Sequence, residues 1–267
     1  MIARTTAVVE PGGVLGSVVC APPLTLRQVH GEVRERCELR LVGTAAGPLA
    51  GDDLSLSLEL RPGAGAALRA TAASLAQGRD GRGRSSLSVR AELAAGASLV
   101  ADPGALVVCH GSRVDVRVEL TLGADAAVEW RELIVLGRTG EPPGLATLRW
   151  DVTRLGRPVL RQLIDLSDPA PPRLLTAGHR VLACALICGP GLAARTVVAS
   201  PTAVAQRVDE HTALVTVLAD DAGTAMSQLD ALCGRTANPG EPDGTSDRLQ
   251  AARCSIGPAG AGAGSVR

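Results

Sequence analysis

The chain has 267 residues, of which 46% are hydrophobic, so it can bury a substantial core in one large domain or two smaller ones. Its 27 basic and 27 acidic side chains balance, every basic one is Arg, and the acids are interleaved, so nothing makes a basic footprint for nucleic acid. There is no Phe, no Tyr and only two Trp, which removes the ring platforms that single-strand nucleic-acid binders stack on and leaves Leu, Val and Ala to fill thin, closely spaced layers.

In chain order, residues 1–31 carry short apolar pieces punctuated by Gly12-Gly13, Gly16 and Pro22-Pro23. Glu10 and Pro11 cut the first apolar run too short for a signal-peptide core. Residues 37–42 read as a short strand, followed by the turn-rich residues 43–48. Three units then repeat. Leu54-Ser-Leu-Ser-Leu, Leu87-Ser-Val-Arg-Ala and Val114-Asp-Val-Arg-Val alternate with period two, as strands with one buried face do. They run into Glu59-Leu60-Arg61-Pro62-Gly63-Ala64, Glu92-Leu93-Ala94-Ala95-Gly96-Ala97 and Glu119-Leu120-Thr121-Leu122-Gly123-Ala124, where the Gly lets the chain reverse. Second apolar segments start at Leu68, Leu99 and Val128. A strand-turn-strand unit too small to bury its own face implies stacking.

Past Trp130, residues 133–136 read as a strand buried on both faces, and residues 137–144 as a loop. Leu148, Trp150 and Val152 alternate, residues 158–165 make a further strand, and Gly156-Arg157 between them reads as a hairpin turn. Residues 168–173 break the pattern as a boundary or a long turn. Residues 181–187 and 214–218 read as strands, and Asp220-Asp221 caps a helix from about Thr224 to Leu232 with Met226, Leu229 and Leu232 on one face. The expected fold is all-β: β-helix-like, two-layer stacked strands with minor helix late. The expected domains are a single β-rich domain over 1–234 and a disordered Gly/Pro-rich tail over 235–267. No apolar stretch approaches the ~20 residues of a membrane span. Seven scattered cysteines, odd in number, fit reduced thiols in a cytoplasmic protein better than a disulfide framework.

Few residues group into chemistry. Cys109-His110 are adjacent, so on a strand they point to opposite faces, and Cys184-x-x-x-Cys188 lies in an apolar run where Cys packs as a small hydrophobe. His30, His179 and His211 are isolated, and no pattern matches a fixed metal cage. There is no Gly-x-Ser-x-Gly elbow and no Walker or dinucleotide motif. Arg79, Arg82 and Arg84 sit in a Gly-rich stretch that reads as a solvated loop. Asp52-Asp53, opening a strand, has two readings: turn chemistry, or a carboxylate lining a polar channel that attracts a cation. Asp125, Glu129 and Glu132, around Trp130, have the same channel reading against that of a solvated face.

Gly47-Pro-Leu-Ala-Gly-Asp-Asp-Leu-Ser-Leu-Ser-Leu-Glu-Leu60 resembles the Gly-Gly-Leu-Val-Gly-Gly-Asp-x-Leu motif of the urease accessory protein UreD (UreH) family. In that family a strand, Gly-Ala and a Thr-rich segment follow; here stand Gly63-Ala64 and Arg69-Ala-Thr71. Trp130-Arg-Glu-Leu-Ile-Val-Leu-Gly-Arg138, then Thr139-Gly-Glu141, resembles the family's Trp-Glu-Ile…Gly-Arg…Gly-Glu segment. Cys37-Glu-Leu-Arg-Leu41 and Gly156-Arg-Pro-Val-Leu160 stand where the family has comparable strands, and the likeness spans roughly residues 20–166, with residues 214–232 resembling its C-terminal strand and helix. The chain departs from the family at residues 75–79, where Lys and Tyr are usual, and at residues 100–104, which marks a divergent branch.

The resemblance implies a β-helix-like two-layer fold with short C-terminal helices and a non-enzyme: a maturation scaffold that binds UreF directly, reaches the UreG GTPase through UreF, and docks on the urease apoprotein. It implies a dimer of heterodimers and no membrane or nucleic-acid partner. Nickel would be inserted into urease during GTP hydrolysis, passing in transit through a polar passage without a permanently bound cofactor. Asp52, matching the family's Gly-Asp position, and Glu132, of the Trp-Glu segment, are the passage candidates. The alternatives are a β-helix enzyme acting on polysaccharide, disfavoured by the scarcity of aromatic rings, and a divergent structural partner without nickel-insertion activity.

Overall fold

The computed structural model describes residues 1–31, 33–78, 83–167, 175–190 and 198–234. The chain divides into one unit spanning Met1–Arg235 and another spanning Thr236–Arg267. The second unit, and with it the expected Gly/Pro-rich tail, lies outside the described residues, as do Arg79, Arg82 and the break at residues 168–173.

The three alternating runs form the expected strand-turn-strand units. They are β5 (Asp53–Leu60) with β6 (Gly65–Ala70), β8 (Ser85–Leu93) with β9 (Ser98–Asp102), and β11 (Arg113–Leu122) with β12 (Ala127–Leu136). The first strand of each unit joins a seven-stranded sheet and the second an eleven-stranded sheet. Within each sheet the units pair in parallel, so like positions stack: Leu56 beside Val89 beside Val118, and Leu60 beside Leu93 beside Leu122. This is a β-solenoid-like arrangement in which each coil buries the face its neighbour cannot cover alone.

The turns show where identity of sequence and identity of place diverge. Gly63 and Gly96 have φ of 72° and 66°, the left-handed region that Gly enters without Cβ penalty. The next residues, Ala64 and Ala97, are fully buried. In the third unit the left-handed residue is Asp125, with φ 53°, and the buried residue is Ala126. The third turn is therefore Leu122–Ala126 in place, two residues later than the Glu-Leu-x-x-Gly-Ala string. Glu59 stacks on Glu92, whereas Glu119 stacks on Arg90 and pairs with it at 2.8 Å. Asp tolerates this backbone because its short polar side chain interacts locally.

Elsewhere the strands are longer and more numerous than apolar periodicity indicates. Residues 1–31 hold β1 (Ile2–Glu10), β2 (Val14–Val19) and β3 (Leu24–Val29). The buried positions of β1 are Ala3, Thr5, Ala7 and Val9, mostly too small or polar to register as alternation. β4 (Arg36–Gly43) precedes the three units, β7 (Ser74–Ala76) and β10 (Ala105–Val108) fall between them, and β13 (Leu145–Arg154) and β14 (Arg157–Leu166) follow. Their hairpin turns at Leu155-Gly156, both with positive φ, one residue earlier than expected. The residues 133–136 continue the strand begun at Ala127 rather than forming their own. β15 (Val181–Cys188), β16 (Val198–Ala199), β17 (Ala203–Asp209) and β18 (Thr212–Ala219) extend the larger sheet antiparallel. The C-terminal helix α1 (Ala222–Cys233) starts at Asp221, whose carboxylate accepts the Thr224 N–H, and ends at Gly234 in the left-handed conformation. No helix among the described residues is long and apolar enough to cross a membrane.

Two cores result. The larger lies between the sheets and includes Leu56, Leu58, Leu99, Val118 and both Trp. The smaller lies between the outer face of β15 and β18 and the helix, through Ala183, Ala185, Val215, Ala225 and Leu229. β15 is buried along its whole length because it serves both. Replacing a stacked core residue leaves a cavity that neighbouring coils cannot close. Leu58→Ala is expected to lower stability to urea by ~2–5 kcal/mol, whereas Leu163→Ala, at a position 62% exposed, is expected to stay within ~0.5 kcal/mol of the parent.

Candidate functional site

On β12 the residues Val128, Trp130, Ile134 and Leu136 all face the core between the sheets. Side chains alternate along a strand, so Glu132 belongs to the same face and its carboxyl is carried into that interior. It is buried, and the Trp130 indole Nε1 donates to Oε1 at 2.8 Å. The cross-strand neighbour of Glu132 on β15 is Cys184, and that of Cys184 on β18 is Thr216. A polar row of carboxyl, thiol and hydroxyl therefore crosses the inner face of the larger sheet. On the facing sheet the Trp150 Nε1 is also buried, with no hydrogen-bond partner among the described residues.

The electrostatics follow from this burial. Desolvation pushes the Glu132 carboxyl up to about 7, opposed by the Trp130 donor and reinforced by the charge of Asp102. Burial likewise pushes the Cys184 thiol up to about 12, opposed by the Thr216 hydrogen bond and reinforced by Glu132. Near neutral pH the row therefore offers a neutral thiol beside a carboxyl that burial keeps far more readily protonated than an exposed one. A perturbed carboxyl of this kind is a functional-site candidate. The solvated-face reading of Glu132 fails because Trp130 and Ile134 fix the inward parity of the strand.

Asp52 is placed differently. It is buried just ahead of β5, and its Oδ1 accepts from the Met1 amino group at 2.8 Å while Oδ2 accepts from the Leu49 N–H at 2.9 Å. Burial pushes its carboxyl up, but the Met1 hydrogen bond, the Leu49 N–H and the amino group's charge outweigh this and hold it below the ordinary value. Among the described contacts no hydrogen bond or ion pair joins Asp52, just ahead of a strand of the seven-stranded sheet, to Glu132, on the eleven-stranded sheet. Asp125 is the left-handed turn residue of the third coil. Glu129 is partly buried and pairs with Arg131 at 2.9 Å, so it too is no simply solvated residue.

Arg131 had no signal of its own in the sequence. It points from β12 to the face opposite Glu132, is almost wholly buried, and also pairs with Asp230 of α1 at 2.6 Å. That partner lies 99 residues away in sequence, so only the fold reveals the pair. Cys109 and His110 fall in a turn just after β10 (Ala105–Val108), the first buried and the second exposed. No group of three or more His, Cys, Asp or Glu that could hold a metal occurs among the described residues.

Fold and interior together define a stacked β scaffold with a buried polar row. The family model described as "UreD urease accessory protein" matches residues 7–245. Over 240 residues, 80% of each chain, the sequence is 35% identical to the urease accessory protein UreD of Parafrankia sp. (strain EAN1pec). It is 37% identical over 224 residues to that of Frankia alni, covering 74% of each chain, and 42% identical over 135 residues to UreD 1 of Streptomyces griseus, covering 51% of this chain and 52% of the relative. The chain belongs to the UreD urease accessory protein family.

Two substitutions test the electrostatics. Glu132 has a folded value raised above its ordinary 4.5, so the folded state binds the extra proton and Glu132 costs stability increasingly as pH rises from about 4.5 through about 7. Glu132→Gln keeps an acceptor for Trp130 and removes that cost. Urea denaturation is expected to show little difference at pH 4.5 and a gain for the variant of up to roughly 3 kcal/mol at pH 8. Asp52 carries the opposite sign, its contribution present above 3.8 and lost as pH falls through its lowered value. Asp52→Asn is expected to cost roughly 1–3 kcal/mol at pH 7, with the gap closing in acid.

Proposed function

We propose that this chain is a non-catalytic scaffold of urease maturation in the cytoplasm, assisting GTP-dependent insertion of nickel into the urease active site. In this reading it binds UreF directly, reaches the UreG GTPase through UreF, and docks on the urease apoprotein, with nickel as cargo. Family membership supports the maturation role, and the observation that carries the nickel role is Glu132, a carboxyl held inside an otherwise apolar two-layer core beside Cys184. Structural carboxyls are rarely left in such a place, because burial without a charged partner is costly. A carboxyl with a neighbouring thiol presents O and S donors to a divalent transition metal in passing. Asp52 has both carboxylate oxygens engaged by Met1 and Leu49, so the transient contact is assigned to Glu132.

The polysaccharide alternative loses its main requirement. Both Trp lie in the interior, at 0% and 1% exposure, and with no Phe or Tyr the chain offers no surface indole, phenyl or phenol ring for a sugar to stack on.

The reading is tested in a urease-producing host lacking this gene. The intact chain is expected to restore urease activity and to co-purify with UreF and UreG. Glu132→Gln is expected to keep UreF bound while lowering the nickel content of urease by about tenfold or more, the scale on which metal-site partners act. Full nickel loading with Glu132→Gln would remove the role given to that carboxyl, and failure to capture UreF would remove the scaffold reading.

A further inference from the structure

A second polar feature lies away from the interior row, on the edge of the seven-stranded sheet where β8, β11 and β13 begin. These strands are sheet neighbours, so the turns that precede them stack. Between those turns is a cleft of about 540 Å³, within the size range of small-molecule sites. Arg84 and Arg113 line it, with His110 between them in sequence, and among the described residues no carboxylate does. All three side chains are exposed.

The cleft is shaped by backbone. A Cβ on Gly144 would come within 2.2 Å of the Cys109 carbonyl oxygen, so the turn ahead of β13 sits against that ahead of β11 only because residue 144 lacks a side chain. Ser112 also lines the cleft, but its hydroxyl proton is given to the Cys109 carbonyl at 2.6 Å. The chemistry left to the cleft is that of donors.

The two guanidinium groups are positioned but not used up. Arg84 pairs through Nε with Asp115 Oδ2 at 3.0 Å, and Asp115 is itself held by the Thr147 hydroxyl at 2.7 Å. Arg113 gives one Nη2 bond to the Ser167 carbonyl, at 3.4 Å. Asp165, held below its ordinary value mainly by Ser167, also feels both guanidinium groups from the face of the sheet. Each guanidinium carries five N–H donors, so most of theirs have no protein partner among the described residues.

We propose that this cleft binds a small phosphate-bearing molecule, with Arg84, Arg113 and His110 supplying donors to the phosphate oxygens. One Arg fork suffices for a planar carboxylate. Two forks and an imidazole from successive stacked turns fit the several oxygens of a tetrahedral phosphate, and the volume leaves room for the group that it esterifies. This site is independent of the maturation reading.

Calorimetry on the purified full chain at low salt tests it, with glycerol phosphate as probe. Saturable binding is expected, weakened about tenfold or more by either Arg84→Gln or Arg113→Gln. Arg149→Gln, which removes an exposed Arg of the same sheet outside the cleft, is expected to leave binding unchanged. The proposal is overturned by no saturable binding up to roughly 10 mM, by equal weakening in the Arg149 variant, by weaker loss in both cleft variants, or by malonate binding as tightly as the phosphate ester. Because both replaced arginines are exposed, circular dichroism matching the parent confirms that each variant is folded.

Discussion

Everything in this molecule depends on the parallel register between coils. Leu60, Leu93 and Leu122 stack because the coils have the same rise, and that rise is set where the chain crosses from one sheet to the other. At each crossing a left-handed residue is followed by a fully buried Ala, and the Ala N–H closes the turn onto the carbonyl three residues before it. Larger side chains at Ala64, Ala97 or Ala126 would push neighbouring coils apart, and close-packed interiors do not absorb such volume cheaply. The turns also bond to one another, Gly63 N–H to the Ala95 carbonyl and Gly96 N–H to the Ala124 carbonyl, so an error at one crossing is passed to the next.

That register also explains how a carboxyl comes to lie in the core. Once Val128 and Trp130 are committed to the inner face, the two-residue period leaves Glu132 no other side to occupy. The fold answers the cost with one hydrogen bond from Trp130 and with protonation, not with a counter-charge.

The next residue shows the opposite solution. Arg131, on the other face of the same strand, is buried under the C-terminal helix and balanced by Glu129 and Asp230. Its position ties the helix to the larger sheet beside the smaller core, while Glu132 looks into the larger one. Adjacent residues on one strand thus separate the interior chemistry from the attachment of the helix. The basic cleft at the strand starts is a third environment, built by backbone turns and independent of both.

Much of this was legible from sequence, for reasons of period. Alternation in residues 54–58, 87–91 and 114–118 is imposed by a sheet with one buried face, so strand, turn and stacking all followed from it. So did the helix, whose Asp221 cap and apolar spacing are local signals. The family motifs singled out Asp52 and Glu132, but not which of them faces the core, since inward parity depends on the neighbouring sheet. The third turn was misplaced by two residues because the Glu-Leu-x-x-Gly-Ala string repeats in letters, while stacking follows the left-handed position, which Asp125 occupies. The first three strands carry no clear period, because Ala and Thr fill most of the buried positions of β1, β2 has no buried residue, and β3 is buried only over Leu24–Leu26. Arg131 pairs with Asp230 across a long stretch of chain, and the fold alone brings Arg84 to the same cleft as His110 and Arg113. Sequence alone determined the period and hence the class of fold; tertiary structure decided register, parity and long-range pairing, because those depend on what packs opposite each residue rather than on what precedes it.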